Sequence, residues 1–221
     1  MLKNNISFTS LKIKIGYLMK SDTRIPIQER SIGKKLQIID AGLKLFSEKG
    51  YHNTNTKEIA AEAGVSIGTF YAYFEDKHDL FMEVLKEYIN KISGVLSSMP
   101  VGDYLHPGRE REFILLLIDT LLEAHSISPA FHQEIEAMVH SDDKVRKIMD
   151  NMRENALELT RSILKKWKSN LRPGNINAAS IIIHHAIEDM VHAIKFTAMD
   201  VKPDILKNEL VDMIYRYLYD L

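Results

Sequence analysis

Thr69, Tyr71, Tyr73 and Lys77 place hydroxyl and ammonium donors within one short stretch. These are the groups that hold a protein to a phosphate backbone. Ile67, Gly68 and Thr69, at the head of the same stretch, carry small or neutral side chains. The first turn of a helix needs such side chains if its backbone is to approach a base-pair edge. A second set of chemistry-bearing residues lies further on. His132, Glu136 and His140 are spaced four and four, His184, Glu188 and His192 repeat the pattern, and His125 and His185 lie nearby in sequence. Imidazole and carboxylate on one helical face can ligate zinc, so a helical metal-dependent enzyme using these His/Glu faces is the alternative reading of the chain. The spacing has low specificity. We read both trios as solvated or hydrogen-bonded side chains of amphipathic helices, and expect no metal, no cofactor and no catalytic residue. There is no cysteine, hence no disulfide or thiolate nucleophile, and no Gly-rich phosphate loop.

The donors of residues 69–77 need a scaffold, and residues 55–77, NTKEIAAEAGVSIGTFYAYFEDK, supply one. Thr56 is placed to cap a first short helix by accepting from a backbone N–H one turn in. Glu58 and Glu62 fall on one face of that helix, and Ile59, Ala60 and Ala63 on the face to be buried. Gly64 follows as a stop, because glycine enters the left-handed region without steric cost. Val65 then fills the angle between two helices. Ser66 is a second N-cap, and the helix it starts runs to about Phe74. Phe70 and Phe74 sit four apart and point back into the domain.

Around this turn the residue types form an ordered, gap-free run. Ile39, Ala41, Leu45, Phe46, Gly50 and Tyr51 precede Thr56, Ile59, Ala60, Ala63, Gly64, Val65, Ser66, Gly68, Thr69, Phe70, Tyr71, Tyr73, Phe74, Lys77 and Leu80. In these positions residues 35–81 resemble the DNA-binding domain of the TetR family of transcriptional regulators. The resemblance implies an all-α chain: an N-terminal three-helix DNA-binding domain with a helix-turn-helix, then a larger C-terminal helical domain for ligand binding and dimerisation. We place an N-terminal extension at 1–30, the DNA-binding domain at 31–77 and the effector-binding and dimerisation domain at 78–221. The resemblance also brings Lys57 within reach of the groove. The expected DNA contacts are Thr56, Lys57, Ser66, Ile67, Gly68, Thr69, Tyr71, Tyr73 and Lys77. The function so implied is sequence-specific regulation of transcription by a repressor that a small-molecule effector releases, acting as a homodimer on a palindromic operator in double-stranded DNA.

Composition bounds the rest. The chain has 221 residues, 45% of them apolar, and a formal net charge of −1. That balance argues against a protein coated in nucleic acid or held on an acidic membrane. Its distribution is uneven: residues 1–77 carry 12 basic against 8 acidic side chains, and residues 78–221 carry 17 against 22. A basic front and an acidic back suit a small nucleic-acid reader joined to something else. No apolar run approaches the roughly 18 residues that span a membrane, and Lys12 and Lys14 interrupt the N-terminal stretch as a signal peptide. We expect a cytoplasmic protein without membrane partners. The extension 1–30 is basic, and Leu11, Ile13, Ile15 and Leu18 within it could pack on a partner.

Periodicity places a first core helix at 31–49 and a long helix from the Asp76 cap to about Ser97, with Leu80, Phe81, Val84, Leu85, Ile89 and Ile92 as its stripe. Residues 94–108 read as a break. Further helices are expected near 109–125, 129–140, 142–169, 175–199 and 203–220, the first so apolar that it should lie at the centre. Soft or bulky residues in the middle helices, Phe113, Phe131, Met138, Met149, Met152 and Trp167, are the expected effector contacts, since methionine adapts to varied ligands. Glu134, Glu136 and Glu158 would suit a cationic effector. The last two helices carry apolar stripes wider than one small domain needs, as a four-helix dimer interface would require.

Overall fold

A computed structural model describes residues 29–104, 106, 108–167 and 171–219. Apart from its last two positions, the extension expected over 1–30 lies outside them. The elements are α1 (Glu29–Lys49), α2 (Thr56–Glu62), α3 (Ile67–Tyr73), α4 (Lys77–Ser97), a single turn α5 (Val101–Tyr104), α6 (Glu110–Ala124), α7 (Pro129–Val139), α8 (Asp143–Trp167), α9 (Ile176–Phe196) and α10 (Pro203–Leu218). There is no strand among the described residues, and the all-α class expected from the sequence holds. Proline opens α7 and α10, where a missing N–H costs nothing.

Packing divides the described residues into two compact units, those of 29–93 with 128–146, and those of 94–127 with 147–219. The core of the first is built from Ile38, Phe46, Ile59, Phe70, Leu80, Phe81, Leu85 and Phe131. Its rings meet in sequence: Phe46 on Phe81 at 5.4 Å, Phe81 on Phe131 at 5.6 Å, and Phe131 on Tyr88 at 5.5 Å. Gly42 lets α1 approach α4, since a Cβ there would meet Leu80 Cδ2 at 2.9 Å. Thr54 is buried in the corner after α1, its hydroxyl donating to the carbonyls of Gly50 and Leu45.

In the second unit α6 packs on α9 and α10. Phe113 meets Trp167 edge-on at 5.4 Å, and the Arg172 N–H closes onto the Leu218 carbonyl at 2.8 Å. The expectation that α6 lies at the buried centre holds for part of the helix. Phe113, Ile114, Ile118 and Ala124 are buried, whereas Leu115, Leu117, Leu121 and Leu122 are only half-buried. An apolar helix has more apolar faces than one layer of neighbours within this unit covers.

Local chemistry sets the ends of the short helices. Asn55, not Thr56, caps α2: its side chain accepts from the Glu58 N–H at 3.0 Å while Glu58 accepts from the Asn55 N–H. Both residue types cap well, but only Asn55 has a carboxylate three residues on to reciprocate. Gly64 leaves α2 at φ +65, with the Val65 N–H reaching back to the Ala60 carbonyl and the Gly64 N–H to that of Ala61, the paired closure of a glycine-ended helix. Ser66 caps α3 by accepting from the Thr69 N–H at 3.1 Å. Asp76 caps α4 through the Asp79 N–H at 2.7 Å.

Asp142 does two things at once. Its side chain accepts from the Lys144 and Val145 N–H groups at the start of α8 and meets His78 Nε2 at 2.7 Å. Burial alone would raise its carboxyl, but the Val145 N–H, His78 and the Lys144 N–H outweigh that and hold it below the ordinary value. A carboxyl depressed in the folded state adds stability above its unfolded value and loses it as pH falls through the folded one. Asp142→Asn should therefore cost about 1 kcal/mol at pH 7, and the gap from wild type should close as denaturation is measured below about pH 4. The two glycines give a second prediction. Gly64→Ala should lower stability by about 1–2 kcal/mol. Gly33→Ala, in α1 with nothing within 4 Å of the added methyl, should raise it by up to about 1 kcal/mol in the same urea titration.

Candidate nucleic-acid interface

Helix α3 spans seven residues, about 10 Å, and its two faces differ completely. Phe70 and Phe74 are buried, with ring centroids 5.8 Å apart. Ile67, Gly68 and Tyr71 point outward, Tyr71 with 54% of its surface exposed. The outer face carries no charge. Thr69 is half-buried and shares a hydroxyl contact of 2.9 Å with Ser66. The Tyr71 hydroxyl lies 3.2 Å from that of Thr56, tying the outer face of α3 to the first residue of α2. Lys57 next to it is exposed and makes no hydrogen bond or ion pair among the described residues. Thr56, Lys57, Ser66, Ile67, Gly68 and Tyr71 thus lie on the exposed sides of two linked helices.

Two of the expected contacts turn to partners outside α2, α3 and their caps. The Tyr73 hydroxyl meets that of Ser31 at 2.8 Å, linking α3 to α1. Lys77 Nζ donates to the carbonyls of Tyr51 at 2.6 Å and Thr54 at 2.8 Å and lies 4.2 Å from the centre of the Tyr51 ring. Burial pulls its ammonium below the ordinary lysine value, with Glu134 opposing the shift. Lys77 is therefore a strut for the α1–α2 corner. No sequence signal separates an ammonium that caps carbonyls from one that meets phosphate.

The six expected effector contacts do not form one cluster within either unit. Phe131 and Met138 are buried in the first unit, where Phe131 belongs to the ring series on Phe81 and Tyr88. Phe113, Met149, Met152 and Trp167 belong to the second, Met152 half-buried and the others buried. The Trp167 indole N–H is buried without a partner among the described residues.

The first His/Glu trio separates as well. His132 is buried and accepts from or donates to the Tyr88 hydroxyl at 3.1 Å, whereas His140 is exposed at the end of α7. His184 pairs with Glu188 at 3.1 Å, and that bond, with Arg153 beyond it, keeps the Glu188 carboxyl below its ordinary value against the opposing effect of burial. His192 lies edge-on to His125, whose Nδ1 meets the Leu121 carbonyl at 2.8 Å. Burial pushes the His125 imidazole down.

Residues 38–84 match the family described as "Bacterial regulatory proteins, tetR family", and residues 111–218 match "Tetracyclin repressor-like, C-terminal domain". Among curated proteins the chain is 27% identical over 187 residues to the uncharacterized HTH-type transcriptional regulator YuxN of Bacillus subtilis, a match covering 82% of this chain and 63% of that protein. The fold is similar to that of NalD, the secondary repressor of the MexAB-OprM multidrug efflux pump of Pseudomonas aeruginosa, with a TM-score of 0.65 at 20% identity over 87% of this chain and 98% of that one. A regulator from Saccharomonospora viridis solved in complex with choline superimposes with a TM-score of 0.66 at 16% identity, over 85% and 98% of the two chains. With both of its halves matched in order, the chain belongs to the TetR family of bacterial regulatory proteins.

Proposed function

We propose that the chain is a sequence-specific, DNA-binding transcriptional regulator that represses as a homodimer in the cytoplasm and is released by a small-molecule effector. The outward face of α3 carries this reading: a two-turn helix held by Phe70 and Phe74 that presents Ile67, Gly68 and Tyr71 with no charge to repel a base edge. Gly68 and Thr69 let the backbone approach the major groove, while Tyr71, Ser66, Thr56 and Lys57 supply phosphate donors. Tyr73 and Lys77 contribute by fixing α3 and its corner, beyond any phosphate contact of their own. Residues 31–77 are the reading domain and 78–221 the effector-binding and dimerisation domain. No single helix among the described residues is long and apolar enough to cross a membrane.

A second copy of the chain is the partner that the end helices call for. Ile181 and Ile182 on α9 and Ile205 and Met213 on α10 are all exposed, Ile182 by 53%. Large apolar side chains left exposed on two helices that pack together suit an interaction surface. A two-fold pairing through α9 and α10 would present two copies of α3 to a palindromic site. The repressor sense is supported by NalD, itself a repressor, and a small organic effector by the choline complex. Among the expected contacts, Phe113 against Trp167, whose N–H has no partner among the described residues, is the pair best suited to an effector that carries a hydrogen-bond acceptor.

Binding of the purified chain to duplex DNA from upstream of its own gene, followed by fluorescence anisotropy, tests the reading. Tyr71→Ala should weaken binding about tenfold, and Lys57→Ala should weaken it for all sequences while lowering the salt slope by about 1. Wild-type affinity in Tyr71→Ala with native helicity would remove α3 from the interface. Sedimentation tests the pairing: Ile182→Glu should convert the dimer to a monomer and abolish operator binding at the same concentration. A dimer that persisted would move the interface elsewhere.

A further inference from the structure

The first compact unit contains a segment from far along the chain, residues 128–146, and one of its polar side chains reaches a corner of the reading domain. Helix α1 ends at Gly50, which turns out of the helix at φ +81. The next N–H, that of Tyr51, donates to Glu134 Oε1 at 2.6 Å, across 83 residues of sequence. This is shorter than an ordinary amide N–H···O hydrogen bond, as suits a carboxylate acceptor. The same carboxylate lies over the turn itself, since a Cβ on Gly50 would meet Glu134 Oε2 at 3.1 Å. On the other side of the Tyr51 peptide, Lys77 holds the Tyr51 and Thr54 carbonyls. The corner is thus gripped by a carboxylate on its N–H and an ammonium on its carbonyls. It leads directly to Asn55, the cap of α2, and through the Gly64 turn to α3.

Helix α7 is itself firmly placed. Phe131 packs on Phe81 and Tyr88, Ile135 is fully buried, and Asp142 just beyond the helix meets His78. Glu134 is therefore presented from a fixed element, whereas the corner it holds is a loop. The sequence suggested a different role for it, as an acidic residue facing a cationic effector. We infer that Glu134 is a positioning residue for DNA binding: its carboxylate, accepting from the Tyr51 N–H, sets the α1–α2 corner and so the aim of α2 and α3. The inference rests on the proposed DNA-binding function. It also makes the reading unit discontinuous, with residues 31–77 completed by a helix that follows them by more than fifty positions.

The test uses the full-length chain and the operator fragment bound by wild type. Glu134→Gln keeps a carbonyl acceptor for the Tyr51 N–H, whereas Glu134→Ala removes it. At a temperature where both variants are fully folded and dimeric, Glu134→Ala should weaken operator binding about tenfold and Glu134→Gln by no more than about threefold. Glu134→Ala should also lower the ratio of specific to non-specific affinity, because phosphate contacts survive a mis-aimed helix better than base contacts do. A role confined to stability would shift the unfolding midpoint and leave that ratio unchanged. Glu134→Ala within twofold of wild type on the operator, or Glu134→Gln as weak as Glu134→Ala, would overturn the inference while leaving the DNA-binding reading intact. Failure of the wild-type chain to bind any duplex would instead sink the functional reading, and this inference with it.

Discussion

A seven-residue helix does not persist alone in water, because too few hydrogen bonds follow its nucleation. Helix α3 exists because Phe70 and Phe74 are buried. Each contributes about 2–3 kcal/mol by leaving water, far more than the Ser66 cap, worth about 1 kcal/mol. The same burial decides orientation. With two rings four residues apart fixed on the inside, Gly68 and Ala72 fall on the opposite side of the helix and face outward, while Ile67, in its first turn, and Tyr71 flank the rings and are exposed as well. The exposed face is thus freed from packing duty and can carry the small and hydroxyl-bearing side chains that a reader needs.

Around that helix, placement by burial is supplemented by a few part-buried polar contacts and not by the many surface ion pairs. Lys44–Glu62 and Lys49–Glu58 join α1 to α2, but their side chains are largely in water, where solvent screening leaves such pairs little to contribute. The Thr54 hydroxyl and the Lys77 ammonium work in drier surroundings and satisfy backbone carbonyls that the end of α1 and the following turn leave open. Removing such a donor leaves carbonyls unsatisfied, which costs more than the bond itself contributes.

What the sequence made legible was local. The Gly64 stop, the Ser66 and Asp76 caps and the inward Phe70–Phe74 pair each depend on residues within one turn of one another, and each stands where expected. The helices of the back half begin and end within three residues of expectation for the same reason, with Pro129, Asp142, Asn175 and Pro203 marking their starts. Asn55 was missed although its signal was present, for Glu58 three residues on is the mark of a capping box and Thr56 has only Ile59 there. Lys77 and the Ser31–Tyr73 contact had no such signal. A lysine and a tyrosine hydroxyl look alike in sequence whether they face a phosphate or a neighbouring helix.

The hardest features to read were those where polar residues at helical spacing serve different neighbours. His132 and His140 fall on one face by periodicity, yet one end of α7 is sealed beneath Tyr88 and the other is open to water. Glu134, between them in sequence, turns to Tyr51. Periodicity fixes direction around a helix axis but not what stands opposite, and for α7 the opposite wall comes from α1 and α4. Two residues 83 positions apart can meet only after both helices have formed and packed, so their contact is a consequence of the fold and not a cause of either element. The residues that aim a reading helix can therefore lie well outside any motif that names it.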